Sequence, residues 1–100
     1  MSMTETKTKS RTSTGVAYPR RFNVVFHNDD FTPMDFVIQL LIEIFNKNID
    51  QASGLTMEIH QKGRAVAGTY GYEVAEQKTH EANLISRSNG HPLKITFEEL

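Results

Sequence analysis

The segment Met34–Phe45 constrains the fold most strongly, because a helix formed there is apolar around much of its circumference. Met34, Val37, Ile38, Leu41 and Phe45 recur at helical spacing and make one stripe, while Phe36, Leu40 and Ile44 make a second. A helix with two such stripes is buried on more than one side, so it is predicted to be the centre of the core. The chain has 100 residues, enough for one small domain with a modest core but not for an enclosed catalytic cavity.

The flanking sequence supplies the elements that cover this helix. Phe22, Val24 and Phe26 alternate as in a half-buried strand. Thr32 is expected to N-cap the central helix, with Pro33 in its first position and Asp35 near its positive end. Asn46-Lys47-Asn48 breaks the pattern, and Asp50 is expected to cap a second helix carrying Ala52, Leu55, Thr56 and Ile59 on one face. Gly54 costs that helix about 1 kcal/mol relative to alanine. Gly63 is expected to end it in a left-handed conformation, with Lys62 in the last turn. Arg64 to Tyr70 is an extended segment interrupted by small residues. A third, more polar helix is predicted over Glu73–Asn89, with a thin apolar stripe of Val74, Ala75, Ala82 and Ile85, stopped by Gly90-His91-Pro92. Leu93, Ile95 and Phe97 alternate in a closing strand. The predicted order is β-α-α-β-α-β: a small α+β domain, three helices packed on one face of a three-stranded antiparallel sheet.

The N-terminus is different in kind. Ser or Thr stands at positions 2, 4, 6, 8, 10, 12, 13 and 14, and such a tract buries too little apolar surface to offset the entropy of ordering. Residues 1–17 are therefore expected to be disordered. The chain divides into an extension over 1–20 and a core domain over 21–100.

Charge follows the same division. Lys7, Lys9, Arg11, Arg20 and Arg21 against Glu5 give residues 1–21 a balance of +4, whereas six basic and eleven acidic residues give 22–100 a balance of −5. An acidic folded part is a poor match for phosphate backbones, which argues against nucleic acid as the partner. No apolar run approaches the roughly 18 to 20 residues of a membrane span. Cysteine is absent, which removes disulfide and thiolate chemistry and is compatible with a reducing compartment. A cytoplasmic protein with no cofactor or membrane partner is expected, acting as a monomer.

The run His27-Asn28-Asp29-Asp30-Phe31-Thr32-Pro33-Met34-Asp35 carries the chemistry. It places carboxylates and a carboxamide beside apolar surface, a combination suited to a ligand with a cation and an apolar side chain on one atom. The first residue of a polypeptide is such a ligand. Its amine, with a pKa near ~8, is mostly protonated at neutral pH and offers three donors. Asp29 supplies a carboxylate and Asn28 a neutral acceptor. His60, four residues after Thr56 on one helical face, brings an imidazole. Met34, Val37 and Ile59 supply an apolar slot. Taken singly, each of these residues is more often part of an ordinary turn or core. The competing reading is a small metal-dependent hydrolase using Asp29, Asp30 and His60, with His91 as a further ligand. It has no metal motif to support it: His-Glu-x-x-His, cysteine pairs and acidic calcium loops are all missing.

Four blocks of the chain resemble the ClpS adaptor family: Asn28 to Val37, His60 to Gly68, Glu73 to Lys78, and His91-Pro92-Leu93. The likeness runs from about residue 20 to 98 in order and spacing. It implies a non-enzymatic adaptor of an ATP-dependent Clp protease, which recognises N-degron substrates beginning with Leu, Phe, Tyr or Trp and delivers them to a AAA+ unfoldase. By matching position, Asn28, Asp29 and His60 hold the substrate's α-amino group and adjacent backbone, while Asp30 orders the turn. Thr32, Met34, Val37, Thr56, Ile59 and Leu93 shape the side-chain pocket. Glu73 and Lys78 match contacts to the unfoldase N-domain, and the extension matches a segment used in substrate transfer. Thr56 stands where the family pattern usually has Met, which implies a wider pocket and weaker exclusion of Ile and Val; Gly71 and Gln77 also depart from common choices.

Overall fold

The computed structural model describes residues 19–100; the expected disordered tract over 1–17 lies outside them. The elements are β1 (Phe22–His27), α1 (Met34–Phe45), α2 (Ile49–Lys62), β2 (Arg64–Tyr70), α3 (Tyr72–Ser88) and β3 (Lys94–Glu99), in the predicted order. β1 is the central strand and pairs antiparallel with both β2 and β3. Arg20, assigned to the extension, forms two hydrogen bonds to Glu99 at 2.7 and 2.8 Å, so the described chain is attached to β3 from that residue onward.

Phe22, Val24 and Phe26 enter the core as their alternation predicts. Val25 is also fully buried; at the middle of the central strand it is flanked by its register partners Val66 and Thr96. The small residues of β2 have a specific use. Val25 pairs with Val66 and Val24 with Gly68, leaving Ala67 as the extra residue of a β-bulge. A Cβ at Gly68 would collide with the Tyr70 ring and hydroxyl, which explains glycine there.

α1 is the centre of the core, with Val37, Leu40, Leu41, Ile44 and Phe45 buried. Its start differs from expectation. Pro33, not Thr32, occupies the N-cap position without a side-chain cap, because the Thr32 hydroxyl is drawn to Asp29 instead. Asn46 ends the helix in the left-handed region at φ 57°.

α2 is capped by Asn48 rather than Asp50. The Gln51 N–H donates to Asn48 Oδ1 at 2.8 Å and the Asn48 N–H donates to Gln51 Oε1 at 3.0 Å, a reciprocal capping box. A glutamine three residues on makes Asn48 the stronger cap. Gly63, at φ 89°, closes the helix as predicted, its N–H donating to Ile59 O.

α3 begins one residue earlier than predicted, at Tyr72, and its buried line is Ala75, Thr79, Ala82 and Ser86. Val74, expected on the apolar stripe, is 45 % exposed. Adjacent helical residues project about 100° apart, so a helix seated on so narrow a line of small side chains cannot also bury Val74. Asn83 makes a strand-like pair with β3: its amide donates to Ile95 O at 2.8 Å and its Oδ1 accepts from Ile95 N–H at 3.2 Å. No helix of the described residues is long and apolar enough to cross a membrane.

Candidate functional site

β1 ends at His27, and the following turn forms one wall of a cavity of about 220 Å³. Three elements hold that turn. The Asn28 N–H donates to Gly63 O at 2.9 Å, which ties the exit of β1 to the end of α2. Asp29 Oδ1 accepts the Phe31 and Thr32 amides at 2.8 and 2.7 Å, and Oδ2 accepts the Thr32 hydroxyl at 2.8 Å. The carboxylate has about four lone-pair sites, so these bonds leave capacity on Oδ2 for a cationic donor. Asp29, rather than Asp30 as expected, thus orders the turn; Asp30 is exposed beside it.

The apolar part of the cavity comes from three directions. Met34 and Val37 enter from the first turns of α1, Thr56 and Ile59 from α2, and Leu93 from the residue preceding β3. Val37, Ile59 and Leu93 are buried, while Met34 is 42 % exposed and stands at the mouth. Thr56 is buried and its hydroxyl donates to Ala52 O at 2.8 Å. That internal bond satisfies the hydroxyl within α2, so the residue contributes its methyl group to an apolar wall. Ser86, fully buried on α3, places its Oγ 3.1 Å from His91 O and 3.4 Å from Leu93 O. Leu93 is thereby held in place from the far side of the core. The His91 ring packs on Phe36, with centroids 4.4 Å apart, and joins the α3–β3 connection to α1.

The rim consists of Asn28, Asp29, Asp30, Thr32 and His60, and every residue assigned to the pocket from sequence lines this one cavity. His27 lines it too; it opens the run that carries the chemistry but was given no role of its own, and its position next to Asn28, at the end of an alternating strand, was the available signal. Ser86 had none, because a serine in a polar helix gives no sign of burial. Glu73 and Lys78 lie away from the cavity on α3. Glu73 is exposed, whereas Lys78 is half-buried and donates to Ile44 O at 2.7 Å, with Nζ 5.8 Å from the Phe45 ring centroid and 5.4 Å from that of Tyr70.

The electrostatics favour an ionised Asp29. Partial burial pushes its carboxyl upward, but the Thr32 and Phe31 amides, the Thr32 hydroxyl and nearby His91 outweigh it and hold the group below its ordinary value. His27 is moved downward by burial and by Arg64 and Lys94, with Glu98 opposing. Among the described residues no three His, Asp or Glu side chains gather in a way that would hold a metal ion, so the hydrolase reading gains nothing from the fold.

Fold and cavity together define a small α+β domain with an acid-rimmed apolar pocket. The profile of the family "ATP-dependent Clp protease adaptor protein ClpS" matches residues 17–96. The ClpS adapter of Desulforapulum autotrophicum is 43 % identical over 103 aligned positions, covering 99 % of each chain. That of Xanthomonas oryzae pv. oryzae is 48 % identical over 84, covering 84 % of this chain and 79 % of its own. The solved structure of Agrobacterium tumefaciens ClpS2 bound to L-phenylalaninamide superposes with a TM-score of 0.81 at 32 % identity, covering 83 % of this chain and all of that one. The chain belongs to the ClpS family of Clp protease adaptors.

Proposed function

We propose that this pocket binds the free α-amino group and bulky apolar side chain of a polypeptide's first residue, and that the chain delivers such N-degron substrates to the N-domain of a Clp AAA+ unfoldase. The observation that carries the reading is the union of two unlike walls around one cavity of about 220 Å³. That volume is smaller than the roughly 300–1,000 Å³ of pockets for drug-sized ligands and suits a single side chain. The ligand of the Agrobacterium relative, L-phenylalaninamide, has the corresponding chemistry: a free amine, an aromatic side chain, and a carboxamide in place of the next peptide bond.

In this reading Asp29 takes the ammonium charge and Asn28 a second of its protons. His60, exposed on the last turn of α2, engages the amine or the first carbonyl. Thr32, Met34, Val37, Thr56, Ile59 and Leu93 enclose the side chain. A charge-assisted hydrogen bond contributes about 1.5–3 kcal/mol, and burying a Leu- or Phe-sized group about 1.5–3. Together these fall short of the roughly 8 kcal/mol that a micromolar affinity requires, so further backbone contacts to the ligand supply the remainder and offset the cost of ordering. Neither half suffices alone, so selectivity requires both the free amine and the side chain.

Delivery is assigned to a second surface on α3 that includes Glu73 and Lys78, and to the N-terminal extension. Catalysis has no part in it. Calorimetry with one short Phe-first peptide, free and N-acetylated, tests the pocket. The free form is expected to bind and the acetylated form to lose most of its affinity; equal affinities overturn the assignment. Removing residues 1–17 should leave peptide affinity intact and impair degradation by the partner protease.

A further inference from the structure

The two parts of the chain carry opposite charge, +4 over residues 1–21 and −5 over 22–100, and the structure shows where they meet. The described chain begins at Pro19. Arg20 fixes that start: its guanidinium lies 5.3 Å from the Phe22 ring centroid and is paired with Glu99 at 2.7 Å. Phe22 in turn meets the Tyr72 ring edge-on, with centroids 5.3 Å apart. The extension therefore leaves the core beside the first residue of α3.

The surface at that point is acidic and partly apolar. Tyr72 is half exposed, as is Val74. Glu73, Glu76 and Glu81 are exposed on the same helix, and among the described residues none of them takes part in a salt bridge. Glu98 and Glu99, by contrast, are held by Arg64 and Arg20. Residues 1–18 precede the described chain and have a greatest reach of about 60 Å, against about 25 Å for the whole of α3. Lys7, Lys9 and Arg11 alternate, which in an extended segment sets cations about 7 Å apart on one side. Glu73 and Glu76, three residues apart on a helix, are about 5–6 Å apart. The acidic rim of the pocket lies past the other end of β1, about 20 Å away.

We propose that residues 1–18 dock on the N-terminal half of α3, with their basic side chains on Glu73, Glu76 and Glu81, and that they cover the surface through which the chain engages the unfoldase. The contact follows from charge, exit point and length; only the covering rests on the delivery reading above. Exposed ion pairs are individually weak, but a short tether supplies an effective concentration in the millimolar range, so a weak contact is occupied for much of the time. The unfoldase competes for the same glutamates and displaces the extension as it docks. Docking and release of the extension are then one event.

The chain has no cysteine, so Ser10→Cys accepts a single nitroxide label on the full chain, and amide line broadening by NMR reports where that label rests. At low salt the amides of Tyr72 to Glu81 are expected to broaden more than those of Asn28 to Thr32. The excess should fall by at least half at about 0.5 M salt and in the Lys7→Gln/Lys9→Gln/Arg11→Gln variant. Equal broadening at both places, broadening centred on Asn28 to Thr32, or an excess unchanged in the triple variant overturns the contact. The same broadening in a mixture of spin-labelled and isotope-labelled chains assigns it to a second copy and also overturns it. The covering is read separately: removal of residues 1–17 should tighten binding to the unfoldase about two- to fivefold, and an equal or weaker affinity overturns it. If the label reports the contact while neither form binds the unfoldase, the delivery reading has failed and the docked extension stands.

Discussion

Asp29 and Thr32 are joined twice, the carboxylate accepting the Thr32 amide at 2.7 Å through one oxygen and its hydroxyl at 2.8 Å through the other. A single side chain therefore shapes the turn and presents negative charge at the cavity. Substitutions at the two positions should separate these roles. Asp29→Ala removes both and is expected to weaken binding of a free-amine peptide by about 2–4 kcal/mol. Thr32→Val keeps the charge and loses one hydrogen bond, with an expected cost of about 1 kcal/mol. Peptide calorimetry on both variants measures the difference, and equal losses would show that the charge is not what the ligand reads.

The same bonds set a pH dependence. Asp29 is held below its ordinary value of 3.8. A carboxyl depressed on folding contributes stability that is present above the unfolded value and lost only as pH falls through the lower folded one. The ligand amine stays protonated throughout that range. Peptide affinity is thus expected to persist through the usual carboxylate range and to fall only below it. Following the Asp29 carboxyl resonance by NMR as acid is added checks the direction; a midpoint above the ordinary value would contradict it.

Thr56 lines the cavity from α2, and its size is expected to set the width of the slot. With its hydroxyl tied to Ala52 O, it presents a methyl group where a longer side chain would fill space. Leu-first and Ile-first peptides are expected to differ less in affinity here than in Thr56→Met, where the added bulk should cost the β-branched ligand about 1–2 kcal/mol more than the Leu ligand. The same Leu-to-Ile ratio in both proteins would remove Thr56 from the specificity argument.

Lys78 has an intramolecular task beside the one assigned to it on the unfoldase side. Its ammonium sits at the C-terminal end of α1, on Ile44 O and near the Phe45 and Tyr70 rings, where a cation is favoured by the helix dipole. Lys78→Met should lower stability by about 1–2 kcal/mol in thermal or urea unfolding and leave peptide affinity unchanged. Loss of delivery in that variant needs Glu73→Gln as a companion, since Glu73 is exposed and its substitution leaves the Lys78 cap in place.

Phe22-Val24-Phe26, the double stripe of α1 and Gly63 were legible in the sequence because each follows from period or backbone conformation within a few residues. The pocket residues were legible for another reason: they fall in short contiguous blocks, and the turn that gathers Asn28 to Thr32 is itself local. Caps were less secure. Thr32 and Asp50 are good capping types, yet Thr32 had a competing partner three residues back, and Asn48 had a reciprocal one in Gln51.

By itself, then, the sequence determined the kinds and order of the elements and the chemical character of the site, since periodicity and turn chemistry act over short separations. Tertiary structure alone decided what the polar residues of α3 do. Ser86 secures the Leu93 floor, Asn83 completes the edge of β3, Lys78 caps α1, and Val74 is left to solvent. Each of these outcomes depends on partners brought near only when the sheet registers and the helices pack, and no local pattern along the chain encodes that proximity.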